Sequence, residues 1–194
     1  MSQAHLYSLF LVIASLATAP DAGIAANKMP ANDSITLPPA SRVVESKNGT
    51  FRFRIYTTDN WRTPFPRGSL SVGSTSSGQR VVWQGKLPHH YGPRFTLVTK
   101  VGDVILLDGW LNIKPAYAVT ILNANMGSLV SFSYEDVVRT LRVLPSVLAE
   151  KARFGSWWMT SKPSLNASEN LALIAAGGKM LIVDIRQAKI YAKP

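Results

Sequence analysis

The chain of 194 residues contains no cysteine. That absence excludes disulfides, thiolate zinc sites and a cysteine nucleophile. Histidine is nearly as scarce, with three residues in all: His5, His89 and His90. Acidic residues are few as well, 11 against 21 Lys and Arg, which gives a formal net charge of +10. Such a balance favours polyanionic partners and also aids solubility. Charged residues make up 16% of the chain and hydrophobic ones 46%, the composition of a globular protein rather than a disordered one. Beyond the first turns of the chain no stretch is long enough and free enough of charge to cross a bilayer as a helix.

The one long apolar run is Leu6 to Leu16, LYSLFLVIASL, followed by the small residues Ala17, Thr18 and Ala19. It is short for a membrane span and suits the core of an export signal. Cleavage after Ala19 would leave Pro20 first, so Gly23-Ile24-Ala25 offers the better site. We therefore expect residues 1–25 to be a signal peptide and the protein to be exported, to a periplasm or outside the cell. No cysteine follows the run, which excludes a lipoprotein anchor. Residues 26–49, with Pro30, Pro38 and Pro39 and no periodicity, read as a linker or extended arm. Residues 50–194 are expected to be a single domain.

Within that domain Phe51, Phe53 and Ile55 alternate with Arg52, Arg54 and Tyr56, the period of a strand with one buried face. Asn48-Gly49 before them is a turn signal. Ser69 to Val72 and Arg80 to Gln84 read as further strands. Phe95 to Lys100 and Val104 to Leu107 form a hairpin about Val101-Gly102-Asp103. Ala116 to Asn123 and Ser128 to Phe132 form another about Asn125-Met126-Gly127. Ser133 with Asp136 is a capping pattern, and Val137, Val138, Leu141 and Leu144 share a helical face until Pro145. Leu171 to Ala175 and Lys179 to Ile185 flank Gly177-Gly178, and Gln187 to Tyr191 is a last short strand. The expected fold is mainly β, an antiparallel meander or an incomplete propeller-like or sandwich sheet, with one helical segment near 133–152.

The runs TLVTKVGDVILLDGW and YAVTILNANMGSLVSF resemble the hairpin cadence of β-propeller blades. LIAAGGKMLIVDIRQAKIY resembles a further half-blade, with Asp184 where such blades keep an acidic residue. The arrangement is similar to that of exported bacterial proteins of uncharacterised function. The resemblance implies stacked hairpin sheets and brings no site motif with it. Too few strands are present for a closed ring of at least four blades, so an open sheet or sandwich with a covering helix is the expected form.

Asp103 and Asp108 are a possible acid–base pair. About four strand residues separate them, on the order of 13 Å, so turn-shaping and strand-end roles are expected instead. His89 and His90 are adjacent, point to opposite sides of an extended segment and read as solvated loop residues rather than metal ligands. The serines between Ser69 and Ser77 lack a nucleophile elbow. Gly177-Gly178-Lys179 resembles the tail of a phosphate loop, but Leu173 stands where its leading glycine belongs. Trp83, Trp110, Trp157 and Trp158 are expected in the core, with one of the adjacent pair partly outside.

Arg52, Arg54, Arg62 and Arg67, with Trp61 in the intervening loop, form the candidate binding group. Guanidinium groups interleaved with aromatics grip anions and sugars by bidentate bonds and stacking. The expected function is non-catalytic binding through this basic face. The partner is an anionic envelope glycan or lipid, or a protein, with nucleic acid disfavoured by export and no cofactor or metal required. The alternatives are an exported hydrolase with a cleft site, and a structural subunit assembling through open sheet edges.

Overall fold

A computed structural model describes residues 36–73, 78–111, 114–123 and 127–193. The expected signal, 1–25, and the hairpin-tip residues Asn125 and Met126 lie outside them. The first sheet contains β1 (Ser41–Glu45), β2 (Phe51–Tyr56), β3 (Arg67–Val72) and β4 (Arg80–Lys86), paired antiparallel in that order. Strand β1 falls within the segment expected to be an arm, and it pairs along its length with β2. The alternation in β2 is resolved as expected, with Phe53 and Ile55 buried and Arg54 exposed. Asn48-Gly49 turns the chain, Gly49 with φ of 71°, while the Ser46 hydroxyl accepts from the Phe51 amide at 2.9 Å.

The second sheet runs β5 (Pro93–Val98), β6 (Val104–Gly109), β7 (Val119–Asn123) and β8 (Ser128–Phe132). The third runs β9 (Ser164–Leu165), β10 (Leu171–Ala176), β11 (Lys179–Asp184) and β12 (Lys189–Lys193). Each is a sequential antiparallel meander, and the strands form three separate sheets. Strand β6 does not alternate in burial because both its faces are covered. Val104 and Leu106 pack with Phe53, Ile55, Leu70 and Leu87 of the first sheet and its flanks. Ile105 and Leu107 pack with Ile174, Leu181 and Val183 of the third. The second sheet is therefore the middle layer of the stack. The β5–β6 turn closes with the Thr99 amide donating to the Asp103 carbonyl at 2.9 Å. Gly102 takes φ of 95° there, and a Cβ on it would lie 2.6 Å from the Phe51 ring.

The segment expected to be helical is two helices, α1 (Tyr134–Leu141) and α2 (Pro145–Lys151). Ser133 and Asp136 form a full capping box at the start of α1. Arg142 ends that helix in the left-handed region, φ 51°, and Pro145 opens the next at a position that needs no N–H donor. Tyr134, Val137, Leu141 and Leu148 bury the helices against the cluster between the second and third sheets. The mainly β class with a helical segment near 133–152 describes the molecule.

Because β6 joins both cores, truncating it is costly. Leu106→Ala should destabilise the protein by about 3 kcal/mol, the usual cost of a buried leucine cavity. Val101→Ala, at a position 56% exposed, should change stability by less than about 0.5 kcal/mol. Equilibrium urea unfolding checks both, and equal effects would contradict the two-sided packing.

Candidate functional site

Directly paired residues of an antiparallel sheet project to the same side. In the first sheet Arg52 pairs with Glu45 and Ser71, Arg54 with Val43 and Ser69, and Tyr56 with Ser41 and Arg67. These residues form the outer face, opposite the one that carries Phe53 and Ile55 into the core. Arg52 donates from Nε to Glu45 at 2.8 Å and pairs with it through a second nitrogen. Arg54 donates to the Ser41 hydroxyl at 2.9 Å and lies 5.0 Å from the Tyr56 ring centre. Gln84 donates to the Tyr56 hydroxyl at 2.6 Å. Arg67 is exposed at the head of β3. The result is a largely polar face with three guanidiniums, the exposed Lys86 ammonium paired with Arg67 across β3 and β4, and one carboxylate, with Val43 exposed among them and two of the cations already oriented.

The other two predicted residues lie in the loop between β2 and β3. Arg62 is exposed, and its amide donates to the Asp59 carbonyl at 3.3 Å. Asp59 organises the loop by accepting from the Thr63 hydroxyl at 2.7 Å and its amide at 2.9 Å. The Thr63 and Thr57 hydroxyls hold the Asp59 carboxyl below its ordinary range. Trp61 is not part of the exposed face. It is 7% exposed, donates from its indole nitrogen to the Pro38 carbonyl at 2.8 Å and packs against Tyr91. Its apolar area and single donor are both satisfied inside, which no local pattern in the loop signalled.

Interleaving of arginine with tryptophan does occur, but in a different group. Arg94 on β5 lies 4.9 Å from the Trp110 ring centre and 5.7 Å from that of Trp157. It donates to the Trp110 carbonyl at 2.6 Å. Arg42, on the inner side of β1, lies 5.7 Å from Trp110 on its own account and donates to the carbonyls of Arg94 and Pro93. Burial, then the charge of Arg94, lowers its pKa to about 10, so it stays charged at neutral pH. Trp157 donates from its indole nitrogen to the Gly109 carbonyl at 2.9 Å.

Asp108 completes this clasp. It is fully buried at the end of β6 with φ of 62°. Its Oδ2 accepts from the Ser156 hydroxyl and the Trp157 amide, both at 2.9 Å, and Oδ1 accepts from the Gly109 amide at 2.9 Å. The Ser156 hydroxyl in turn accepts from the Met159 amide at 2.9 Å. Asp108 is thus a strand-end carboxylate that fastens a loop 48 residues away. Burial pushes its pKa up to about 6, against the pull of those hydrogen bonds and of Arg94.

His89 corrects an expectation. It is not a solvated loop residue: it is 2% exposed, and neither ring nitrogen completes a hydrogen bond within the protein. Burial lowers its pKa to about 3, although the Tyr117 main chain acts in the opposite direction. The apolar turn that carries Leu87 into the first core takes His89 inward with it. His90 is exposed and meets the Phe65 ring edge-on at 4.6 Å. Among the described residues no group of three or more His, Asp or Glu is placed to hold a metal ion. No helix among them is long and apolar enough to cross a membrane. The chain matches no protein-family model and no curated protein.

Asp108 and His89 affect stability in opposite directions as pH falls. His89 stays neutral in the fold while an unfolded histidine takes a proton below about 6.5, so its contribution is lost as pH falls from there toward 3. Asp108 binds its proton at about 6 in the fold and near 3.8 outside it. Its contribution is full below 3.8 and lost as pH rises through 6. Asp108→Asn, which tolerates the positive φ, removes the second effect and leaves the first. Between pH 6 and 5 the variant should lose stability more steeply than the wild type, by up to about 1.4 kcal/mol per pH unit. Parallel pH profiles from urea unfolding would refute the assignment.

Proposed function

We propose that the protein is an exported, non-catalytic binding domain that holds an anionic glycan across the outer face of its first sheet. The three meanders are a blade-like scaffold for that face. The observation that supports this reading is the strand register: Arg52, Arg54 and Arg67 project from one side of one sheet, opposed by Glu45 alone among the residues paired with them. Planar guanidiniums offer paired donors to carboxylate and sulfate groups. Ser41, Ser69, Tyr56 and Gln84 supply hydroxyls and an amide between them, which suits the hydroxyl-rich body of a sugar chain. Arg62, on the adjoining loop, is a further exposed cation. The face is an open sheet surface dominated by polar groups, with Val43 and Val81 exposed among them, so it suits a polymer lying along it better than an acyl chain entering it.

The test compares sulfated and uronic-acid glycans with anionic lipid vesicles at low and near-physiological salt. The wild type should retain glycan binding at the higher salt. The combined variant Arg52→Glu, Arg54→Glu should weaken it by about a hundredfold, since two charge-assisted contacts are lost and repulsion replaces them. Binding that salt abolishes equally for every polyanion would leave only the field of the net charge and sink the proposal. Preference for vesicles over glycans would assign the face to a lipid surface instead.

A further inference from the structure

His89 and His90 stand apart from the basic face and border two adjoining spaces. A small cavity of about 70 Å³ is walled by His89, His90 and Tyr117, with Gly109 and Pro115 behind. A wider furrow of about 520 Å³ shares His90 and Tyr117 as walls and adds Phe65, Lys86 and Leu129. Together they fall in the size range of small-molecule sites, about 300–1,000 Å³. The furrow separates the end of β4 from the outer strand of the second sheet, and Leu129 is 39% exposed along it.

We propose that this furrow binds a small aryl carboxylate bearing a hydroxyl, or an equivalent hydrogen-bonding group, at the end remote from its acid. Three features select that class. Phe65, His90 and Tyr117 supply aromatic walls for a planar ring. Lys86 is the charged group among the residues that line the two spaces, and no acidic residue lines either one. Its ammonium is held 4.3 Å from the Phe65 ring centre rather than by a carboxylate, so an incoming acid displaces a weak contact. At the closed end His89 is neutral and offers one donor nitrogen and one acceptor nitrogen; neither meets full hydrogen-bond geometry within the protein, but the Tyr117 main chain acts on the donor, which leaves the acceptor for a ligand. A ligand hydroxyl can donate to that acceptor nitrogen. Buried polar groups are normally paired, so an imidazole left unpaired beside a cavity is the kind of group a ligand completes. The positive charge of Arg42 near His89 disfavours a cationic ligand at that end.

The probe is 4-hydroxybenzoate, titrated to about 10 mM into the chain with its histidine ring nitrogens followed by NMR. The expected result is a saturable shift of the His89 resonances. Phenol and benzoate, each lacking one group, should bind more weakly than the probe. Lys86→Gln, at an exposed site, should weaken binding about tenfold while Lys86→Arg retains it. The Arg52→Glu, Arg54→Glu variant should bind the probe like the wild type, which separates this site from the Arg52 and Arg54 part of the basic face, Lys86 lying opposite Arg67 at that face's β4 edge. His89 signals that do not move in a folded chain would overturn the proposal. So would unchanged affinity in Lys86→Gln, or loss of binding in the Arg52/Arg54 variant.

Discussion

Strand β6 is covered on both sides, and the rest of the stack is arranged around it. Its odd and even residues belong to different cores, Ile105 and Leu107 to one, Val104 and Leu106 to the other. A strand in that position can present nothing polar along its length, since an unpaired buried polar group costs more than packing returns. Its first polar side chain, Asp108, comes at the end of the strand, where the Ser156 hydroxyl and two amides meet it. Chemistry able to meet a partner is thereby displaced to the outer faces and to the furrows between sheets.

The arginines divide along the same line. Arg42 and Arg94 are partly buried between tryptophan rings and main-chain carbonyls, and they tie β1, β5 and the end of β6 together. Guanidinium suits that task because it is weakly hydrated, stacks on rings and offers donors in a fixed plane. Arg52, Arg54 and Arg67 use the same chemistry outward, on a sheet face whose paired neighbours are serines, a tyrosine, a valine, a lysine and one glutamate. The inner pair donates to main-chain carbonyls, whereas Arg52 and Arg54 meet side chains of their own face, Glu45 and Ser41, and Arg67 is exposed.

Much of the fold was legible because its strands alternate and its turns use Asn-Gly, Gly-Asp and Gly-Gly. The capping box at Ser133 was legible for the same local reason. Strand β1 was not, since Ser41–Glu45 follows two prolines and its hydrophobic residues are few; its partner β2 defines it. The break between α1 and α2 turns on the conformation of Arg142, which no residue-type pattern announced. On the site, the shared side of Arg52 and Arg54 followed from period two. The place of Arg67 needed the β2–β3 register. Trp61 and His89 were misplaced because both sit in loops rich in proline and polar residues. Their burial depends on Pro38, Tyr91 and Tyr117, which are distant in sequence. The partnership of Asp108 with Ser156 spans 48 residues and left no trace in local spacing.

Titration with a sulfated glycan, followed through the arginine side-chain Nε–H signals, distinguishes the outer arginines from the inner pair. Arg52, Arg54 and Arg67 should shift together and saturably, while Arg42 and Arg94 stay where they are. Equal small shifts at every exposed arginine, or movement of the inner pair alone, would contradict the proposed glycan face.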